Sequence, residues 1–292
     1  MPQLRHTRVG CTHERTTYRQ KTKGDLTMER NSVLIEADEL IKRFQEENIR
    51  IFDASLTEDV YQQEHIPGAA YFDHQEFSVP ESPYELTILP IEKLSKKIGD
   101  IGISDASEVI IYACGMIPYA ARAWWILHYA GHNNVRLLNG GLAAWKKAGG
   151  QVEQVPQHFE PTTFKGNPRP EKFADKDEVF SALKDNDILV VDVLPPQSYE
   201  GAHITGSANL SCMELMQDMD YILPNDVLAL HLRGTAQYQR IITYCGGGIA
   251  AAVNAMAHLL VGQENVAVYD GSLREWIGEN LPITGTGKWV MW

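Results

Sequence analysis

The residues of this sequence most suited to chemistry are a cysteine and the three glycines after it, Cys245, Gly246, Gly247 and Gly248. They follow an apolar run, RIITY, and precede an alanine-rich stretch whose helical pattern begins near residue 249. Glycines adopt positive φ without a steric penalty, so successive N–H groups can converge on one point. A helix amino terminus adds unpaired N–H groups and a positive dipole end, which stabilise a thiolate. This order predicts a nucleophilic cysteine; the alternative is a glycine turn whose cysteine only packs, because free cysteines are often buried.

The elements around this loop occur twice in the chain. HIPGAAYF at 65–72 matches HITGSANL at 203–210, VIIYACG at 109–115 matches RIITYCG at 240–246, and LNGGLAAW at 138–145 matches YDGSLREW at 269–276. Matched blocks in one order predict two copies of one fold. Each copy alternates short apolar strands with amphipathic helices, which is typical of an α/β fold with a parallel sheet flanked by helices on both faces.

We predict the following organisation from these patterns. A disordered basic extension covers 1–30, a first domain 31–150, a linker 151–172 and a second domain 173–288. Strands are expected near 50–53, 108–113, 134–138, 187–192, 240–244 and 265–269. Helices are expected near 38–47, 90–99, 118–130, 142–148, 175–184, 224–232, 249–261 and 273–278. Two strands end in Asp53 and Asp192, which we expect to hold the turns that follow them.

Composition excludes several classes of protein. The formal net charge of −12 argues against a nucleic-acid binder, because such proteins present clustered Lys and Arg. No apolar run approaches the roughly 20 residues that cross a bilayer, so we expect no membrane partner. Four cysteines lie far apart without CxxC or Cys/His spacing. We therefore predict no metal site, no disulfide and a cytoplasmic location.

The segments HIPGAAYFD, RAWWILHYAGHNNVRLLNGGLAAW, YCGGGIAAAV and VYDGSLREW together resemble the two-domain rhodanese-family sulfurtransferases, closest to the 3-mercaptopyruvate and thiosulfate sulfurtransferase group. The resemblance implies tandem rhodanese-like domains, the first non-catalytic and the second catalytic. It implies that Cys245 takes a sulfane sulfur from a small donor, becomes a persulfide and passes the sulfur on. The acceptor would be cyanide, a low-molecular-weight thiol or a thioredoxin-like protein, and no cofactor is implied.

The resemblance also implies a set of substrate-binding residues. They are the loop residues and two residues of the first domain, the latter on one side of an interdomain cleft: Gly246, Gly247, Gly248, Ile249, Ala250, Arg122 and His65. Two alternatives stay open: an interdomain ion pair for Arg122 and a strand-end hydrogen bond for His65. Cys114 is the repeat equivalent of Cys245, but we expect it to be inert because Met116, Ile117 and Pro118 interrupt the glycine loop.

The sequence departs from the family pattern at three positions. Gly247 stands where the mercaptopyruvate branch has a serine, and Leu194 and Ser198 stand where arginines hold the substrate carboxylate. The loop also lacks the cations found in thiosulfate-using relatives. Two functions therefore remain open: a sulfurtransferase, or a catalytically weak tandem rhodanese module that acts in binding or regulation. A phosphatase on the same fold is disfavoured, since residues 246–253 contain no arginine to bind phosphate.

Overall fold

The structure is a computed structural model that describes residues 28–290. The first half of the chain forms one five-stranded parallel sheet with helices packed around it. Its strands are β1 (Leu34–Ile35), β2 (Ile49–Asp53), β3 (Ala70–Tyr71), β4 (Glu108–Tyr112) and β5 (Val135–Leu138). Its helices are α1 (Arg30–Val33), α2 (Ala37–Leu40), α3 (Glu58–Gln63), α4 (Ile91–Asp100), α5 (Ile117–Tyr129) and α6 (Gly141–Lys147). The strand order is β1-β5-β4-β2-β3.

The second half repeats this arrangement. Its strands are β6 (Phe173–Ala174), β7 (Ile188–Asp192), β8 (Ala202–Ile204), β9 (Ala208–Asn209), β10 (Met216–Gln217), β11 (Tyr221–Ile222), β12 (Arg240–Tyr244), β13 (Val266–Tyr269) and β14 (Ile283–Gly285). Its helices are α7 (Lys176–Ala182), α8 (Pro196–Gly201), α9 (Asn225–His231), α10 (Ala251–Leu260) and α11 (Ser272–Gly278). The parallel sheet has the order β6-β13-β12-β7-β9, and β10-β11 and β8-β14 form antiparallel pairs. The predicted α/β fold of two related domains is confirmed.

Local details differ from the prediction. Helix α2 ends at Leu40 and turns occupy 41–45, so the predicted helix over 38–47 is too long. Residues 1–27 of the predicted disordered extension lie outside the described residues, but Arg30 already begins α1 and donates to the carbonyl of Leu223 at 2.9 Å. The strands at the sheet edges (β1, β3, β6 and β9) are two residues long, too short to show an alternating pattern in the sequence.

The two halves meet through α5 and α10, which occupy equivalent positions in the repeat and pack against each other. Nearly every residue of both helices is buried, as expected for helices that are apolar on all sides. Trp145 and Trp276 are 1% and 0% exposed and belong to the hydrophobic core of their halves. Among residues 28–290, no helix has both the length and the apolar character needed to cross a membrane.

Candidate active site

The loop that carries Cys245 connects the carboxyl end of β12 to the amino terminus of α10, the edge at which parallel α/β sheets bind ligands. The Cys245 sulfur accepts a hydrogen bond from the Gly248 N–H, with 3.1 Å between nitrogen and Sγ. Gly248 has φ of +84°, and the other two glycines of the loop do not take positive φ. Within residues 28–290 this is the one hydrogen bond found to the sulfur, so the predicted ring of several amides is reduced to one donor.

The loop is fastened to the start of α11. Ser272 Oγ accepts the Cys245 N–H at 3.1 Å and donates to the Tyr269 carbonyl at 2.9 Å. The N–H groups of Leu273 and Arg274 donate to the carbonyls of Cys245 and Gly246 at 3.0 and 3.1 Å. The GSLREW motif therefore positions the cysteine loop, a role that its sequence pattern did not indicate. Gly246 takes part in this attachment through its carbonyl, which accepts the Arg274 N–H. Ala250 is the N-cap residue of α10.

Arg122 lies on α5 of the first half and contacts the cysteine loop of the second half. Its side chain links the two domains through an ion pair and hydrogen bonds. Its side chain is 1% exposed, and Nη1 lies 3.0 Å from the Gly248 carbonyl and 2.9 Å from Asp270 Oδ1. Its Nη2 donates to the Leu86 carbonyl, and Asp270 Oδ2 accepts the Ile88 N–H at 2.6 Å. Both Nη atoms are thus bound by protein groups. The structure favours the ion-pair alternative over the predicted substrate contact.

His65 does not lie at the cleft, so the position predicted for it is wrong. The imidazole is 0% exposed and stacks on Tyr61 with 4.0 Å between ring centroids. Its Nδ1 lies 2.8 Å from the Tyr61 carbonyl oxygen and its Nε2 lies 3.1 Å from that of Val155. His203 repeats the stacking on Tyr199 and the Nδ1 contact in the second half. A feature shared by both halves is a property of the fold, as the strand-end alternative stated.

A cavity of about 180 Å³ lies between the halves beside the cysteine loop. Its walls contain residues of both: Leu56, Tyr71, Asp73, His74, Gln75, Glu85, Leu86 and Tyr119 from the first, and Gly247, Ile249 and Arg274 from the second. Cys245 is 3% exposed and is not among the described lining residues. Burial, with a smaller contribution from the Arg122 charge, lowers the pKa of His74 to about 3, so this imidazole is neutral at pH 7.

The positions where the family pattern has arginines are occupied by buried residues. Leu194 is 1% exposed, and its N–H donates to Asp192 Oδ1 at 2.8 Å. The Ser198 hydroxyl donates to the Val290 carbonyl at 2.9 Å. Asp53 accepts the N–H of Ser55 at 2.8 Å in the same way as Asp192 accepts that of Leu194. Both aspartates therefore hold the turns after their strands, as expected.

Cys114 occupies the equivalent loop of the first half and differs from Cys245 in its surroundings. It is exposed, and partial burial of its sulfur together with the charge of Asp53 raises its pKa. The Ile117 N–H, at the position equivalent to Gly248, donates to the Met219 carbonyl at 2.9 Å. The backbone N–H that a sulfur anion at Cys114 would need is thus already bound to a carbonyl of the second half.

Comparison with known proteins agrees with this architecture. The rhodanese-like domain family matches residues 36–148 and again 175–279. A thiosulfate sulfurtransferase of Cricetulus griseus is 31% identical over 81% of this chain and 87% of its own length. A 3-mercaptopyruvate sulfurtransferase of Escherichia coli K12 is 28% identical over 82% of this chain and 93% of its own length.

Solved structures show the same fold. The crystal structure of SseA from Escherichia coli, a 3-mercaptopyruvate sulfotransferase of rhodanese fold, superposes with a TM-score of 0.74 at 28% identity, covering 82% of this chain and 98% of SseA. EanB in complex with hercynine superposes with a TM-score of 0.78 at 23% identity, covering 88% of this chain and 70% of EanB, which is a likeness of fold. The relatives connect the chain to sulfur transfer at the level of the family. With both domain matches, they show that this chain belongs to the rhodanese family and carries two of its domains in tandem.

Proposed function

We propose that this protein is a sulfurtransferase that carries sulfur on Cys245 as a persulfide. The observation that carries the proposal is the 3.1 Å contact from the Gly248 N–H to the Cys245 sulfur, at the end of a central sheet strand and before a buried helix. A fixed backbone dipole aimed at a sulfur stabilises negative charge on it without further reorganisation. The repeat equivalent, Cys114, has no such donor free, which supports Cys245 as the carrier.

The reaction proceeds by two displacements. The Cys245 thiolate attacks the transferable sulfur of the donor, and a new S–S bond forms. With 3-mercaptopyruvate the donor C–S bond breaks and its electron pair leaves with the pyruvate enolate, which takes a proton; with thiosulfate an S–S bond breaks and sulfite leaves. An acceptor thiolate or cyanide then attacks the outer sulfur, and the electron pair returns to Cys245. A covalent intermediate of this kind gives ping-pong kinetics.

The acceptor is proposed to be cyanide, a low-molecular-weight thiol or a thioredoxin-like protein. We infer a cytoplasmic site of action, since a transferable persulfide requires reduced thiols and the described cysteines Cys114, Cys212 and Cys245 are all free.

The second candidate is a catalytically weak module that binds or regulates. It is favoured by the 3% exposure of Cys245 and by the buried, uncharged residues at 194 and 198. The two candidates differ in whether any donor reaches the sulfur.

Mass spectrometry after incubation with 3-mercaptopyruvate or thiosulfate separates the two. We expect the mass of one sulfur atom on the peptide that contains Cys245, and its loss on addition of cyanide. Cys245→Ser is expected to abolish the adduct and keep the fold, because the change is nearly isosteric. The matched control, Cys114→Ser, is expected to retain it. Wild-type protein that gains no sulfur from either donor would establish the module instead, and transfer by Cys245→Ser would move the chemistry to another residue.

A further inference from the structure

The wall of the cavity beside the cysteine loop contains a charge that the family resemblance does not assign. Arg274, in the GSLREW motif, donates its backbone N–H to the Gly246 carbonyl at 3.1 Å. Its side chain runs alongside Gly247: a Cβ placed on that glycine would lie 3.5 Å from Arg274 Cδ and 3.8 Å from Cζ. A guanidinium therefore sits next to the backbone of the cysteine loop, two residues from Cys245.

Arg274 is also the cation available to a ligand in this cavity. Among the described lining residues it alone is positively charged at pH 7, because His74 is neutral there. Arg122, behind the loop, has both Nη atoms bound to protein groups. The places of the expected arginines are filled by the buried Leu194 and Ser198.

The present partner of Arg274 is readily displaced. Its Nη1 is paired with Glu85, which belongs to the 84–88 segment of the first half. The side chains are 28% and 68% exposed, and exposed ion pairs are weak because water screens them. An anion that enters the cavity therefore exchanges with an exposed carboxylate rather than with a buried one.

We propose, on the basis of the sulfurtransferase function above, that Arg274 determines donor specificity by binding the carboxylate of a singly charged sulfur donor in exchange for Glu85. Arginine suits this role because its planar fork binds a carboxylate through two hydrogen bonds. Asp73, an acidic residue, also lines the cavity, and its Oδ1 accepts the Gln75 N–H at 2.8 Å. A cavity lined by one cationic and more than one acidic side chain favours a monoanion such as 3-mercaptopyruvate over the thiosulfate dianion.

The test measures KM and kcat for Cys245 persulfide formation with three donors of different charge: 3-mercaptopyruvate, thiosulfate and the neutral methyl ester of 3-mercaptopyruvate, which loses its sulfur by the same C–S cleavage as the acid. Arg274→Gln is expected to raise KM for 3-mercaptopyruvate about tenfold, the usual effect of a lost charge-assisted contact, and to leave KM for the methyl ester unchanged. Glu85→Gln is expected to lower KM for 3-mercaptopyruvate about threefold, because it removes a weak competitor. The double variant should behave like Arg274→Gln.

The matched control is Arg240→Gln, which removes an arginine of the same domain that is paired with Glu178 at 2.7 Å outside the cavity. It should change no donor preference. The inference is overturned if Arg274→Gln raises KM equally for the neutral methyl ester, or if both single variants weaken 3-mercaptopyruvate binding, since a merely structural ion pair gives those results. Donor discrimination that is unchanged while Cys245 still forms a persulfide refutes this inference alone. Absence of persulfide from all three donors in the wild type refutes the proposed function together with it.

Discussion

Replacement of Gly248 by alanine tests whether the cysteine loop depends on the interdomain contacts of Arg122. Gly248 has φ of +84°, where an L-residue costs about 1–2 kcal/mol. A Cβ at this position would lie 2.8 Å from both Arg122 Nη1 and the Asp270 carbonyl oxygen. The buried pair between Arg122 and Asp270 must then shift, and complete loss of such a pair costs about 3–5 kcal/mol. Because the pair would be weakened rather than removed, we expect the free energy of unfolding to fall by about 2–4 kcal/mol in total.

The matched control is Gly247→Ala, one residue earlier in the loop. Gly247 does not have positive φ, and a Cβ there makes ordinary contact with Arg274 at 3.5 Å. Its effect on the free energy of unfolding should stay within about 0.5 kcal/mol. Urea denaturation followed by tryptophan fluorescence compares the two variants. We also expect Gly248→Ala to slow persulfide formation, because its N–H is the donor to the Cys245 sulfur. Equal stability of both variants, with a wild-type rate for Gly248→Ala, would refute the reasoning.

Three further predictions concern the loop and buried titratable groups. Gly247→Ser restores the hydroxyl that the mercaptopyruvate branch has at this position, and the site has room for it. Because we expect the missing hydroxyl to limit turnover, kcat for pyruvate release should rise. An unchanged or lower rate would show that the hydroxyl does not limit turnover. Burial lowers the pKa of His74 and His128 to about 3 and of His258 to about 4. Each of these histidines therefore lowers the free energy of unfolding by about 1.4 kcal/mol per pH unit as pH falls below 6.5 toward its folded-state pKa. Urea midpoints that are flat from pH 7 to 5 would contradict this. Burial raises the pKa of Asp192 from its ordinary value of 3.8 to about 6. Its carboxylate therefore lowers the free energy of unfolding as pH rises from about 4 to 6, and the stability of Asp192→Asn relative to wild type should increase by about 2–3 kcal/mol between pH 4 and 7. A pH-independent difference would argue against this.

The two halves hold each other by contacts that the sequence also repeats. The Ile88 N–H donates to Asp270 Oδ2 at 2.6 Å, and the Ile222 N–H donates to Asn139 Oδ1 at 2.9 Å. These isoleucines lie in TILP at 87–90 and YILP at 221–224, a further match between the halves that is too short to stand out in the sequence alone. Each half thus contributes a segment that packs against the loop region of the other half. The consequence differs between the two sites: at Cys114 the second half occupies the backbone donor, and at Cys245 the first half supplies Arg122.

The sequence by itself determined the repeated α/β fold, most of the longer strands and helices, and the place of Cys245 between a strand and a helix. These features depend on residues close together in the chain, whose alternation, glycines and repeats can be read directly. The interruption of the glycine loop after Cys114 could be read for the same reason, since Met116, Ile117 and Pro118 are its sequence neighbours.

Only the tertiary structure decided which distant groups meet at the loop. Arg122 and Asp270 are 148 residues apart and belong to different halves of the chain, so neither spacing nor composition indicates that they form a buried pair. The position of His65 against Tyr61 and Val155, and that of Arg274 over Gly247, likewise depend on how the halves and the linker pack. Local chain chemistry sets which elements form, whereas the burial of apolar surface between α5 and α10 sets which side chains those elements bring together.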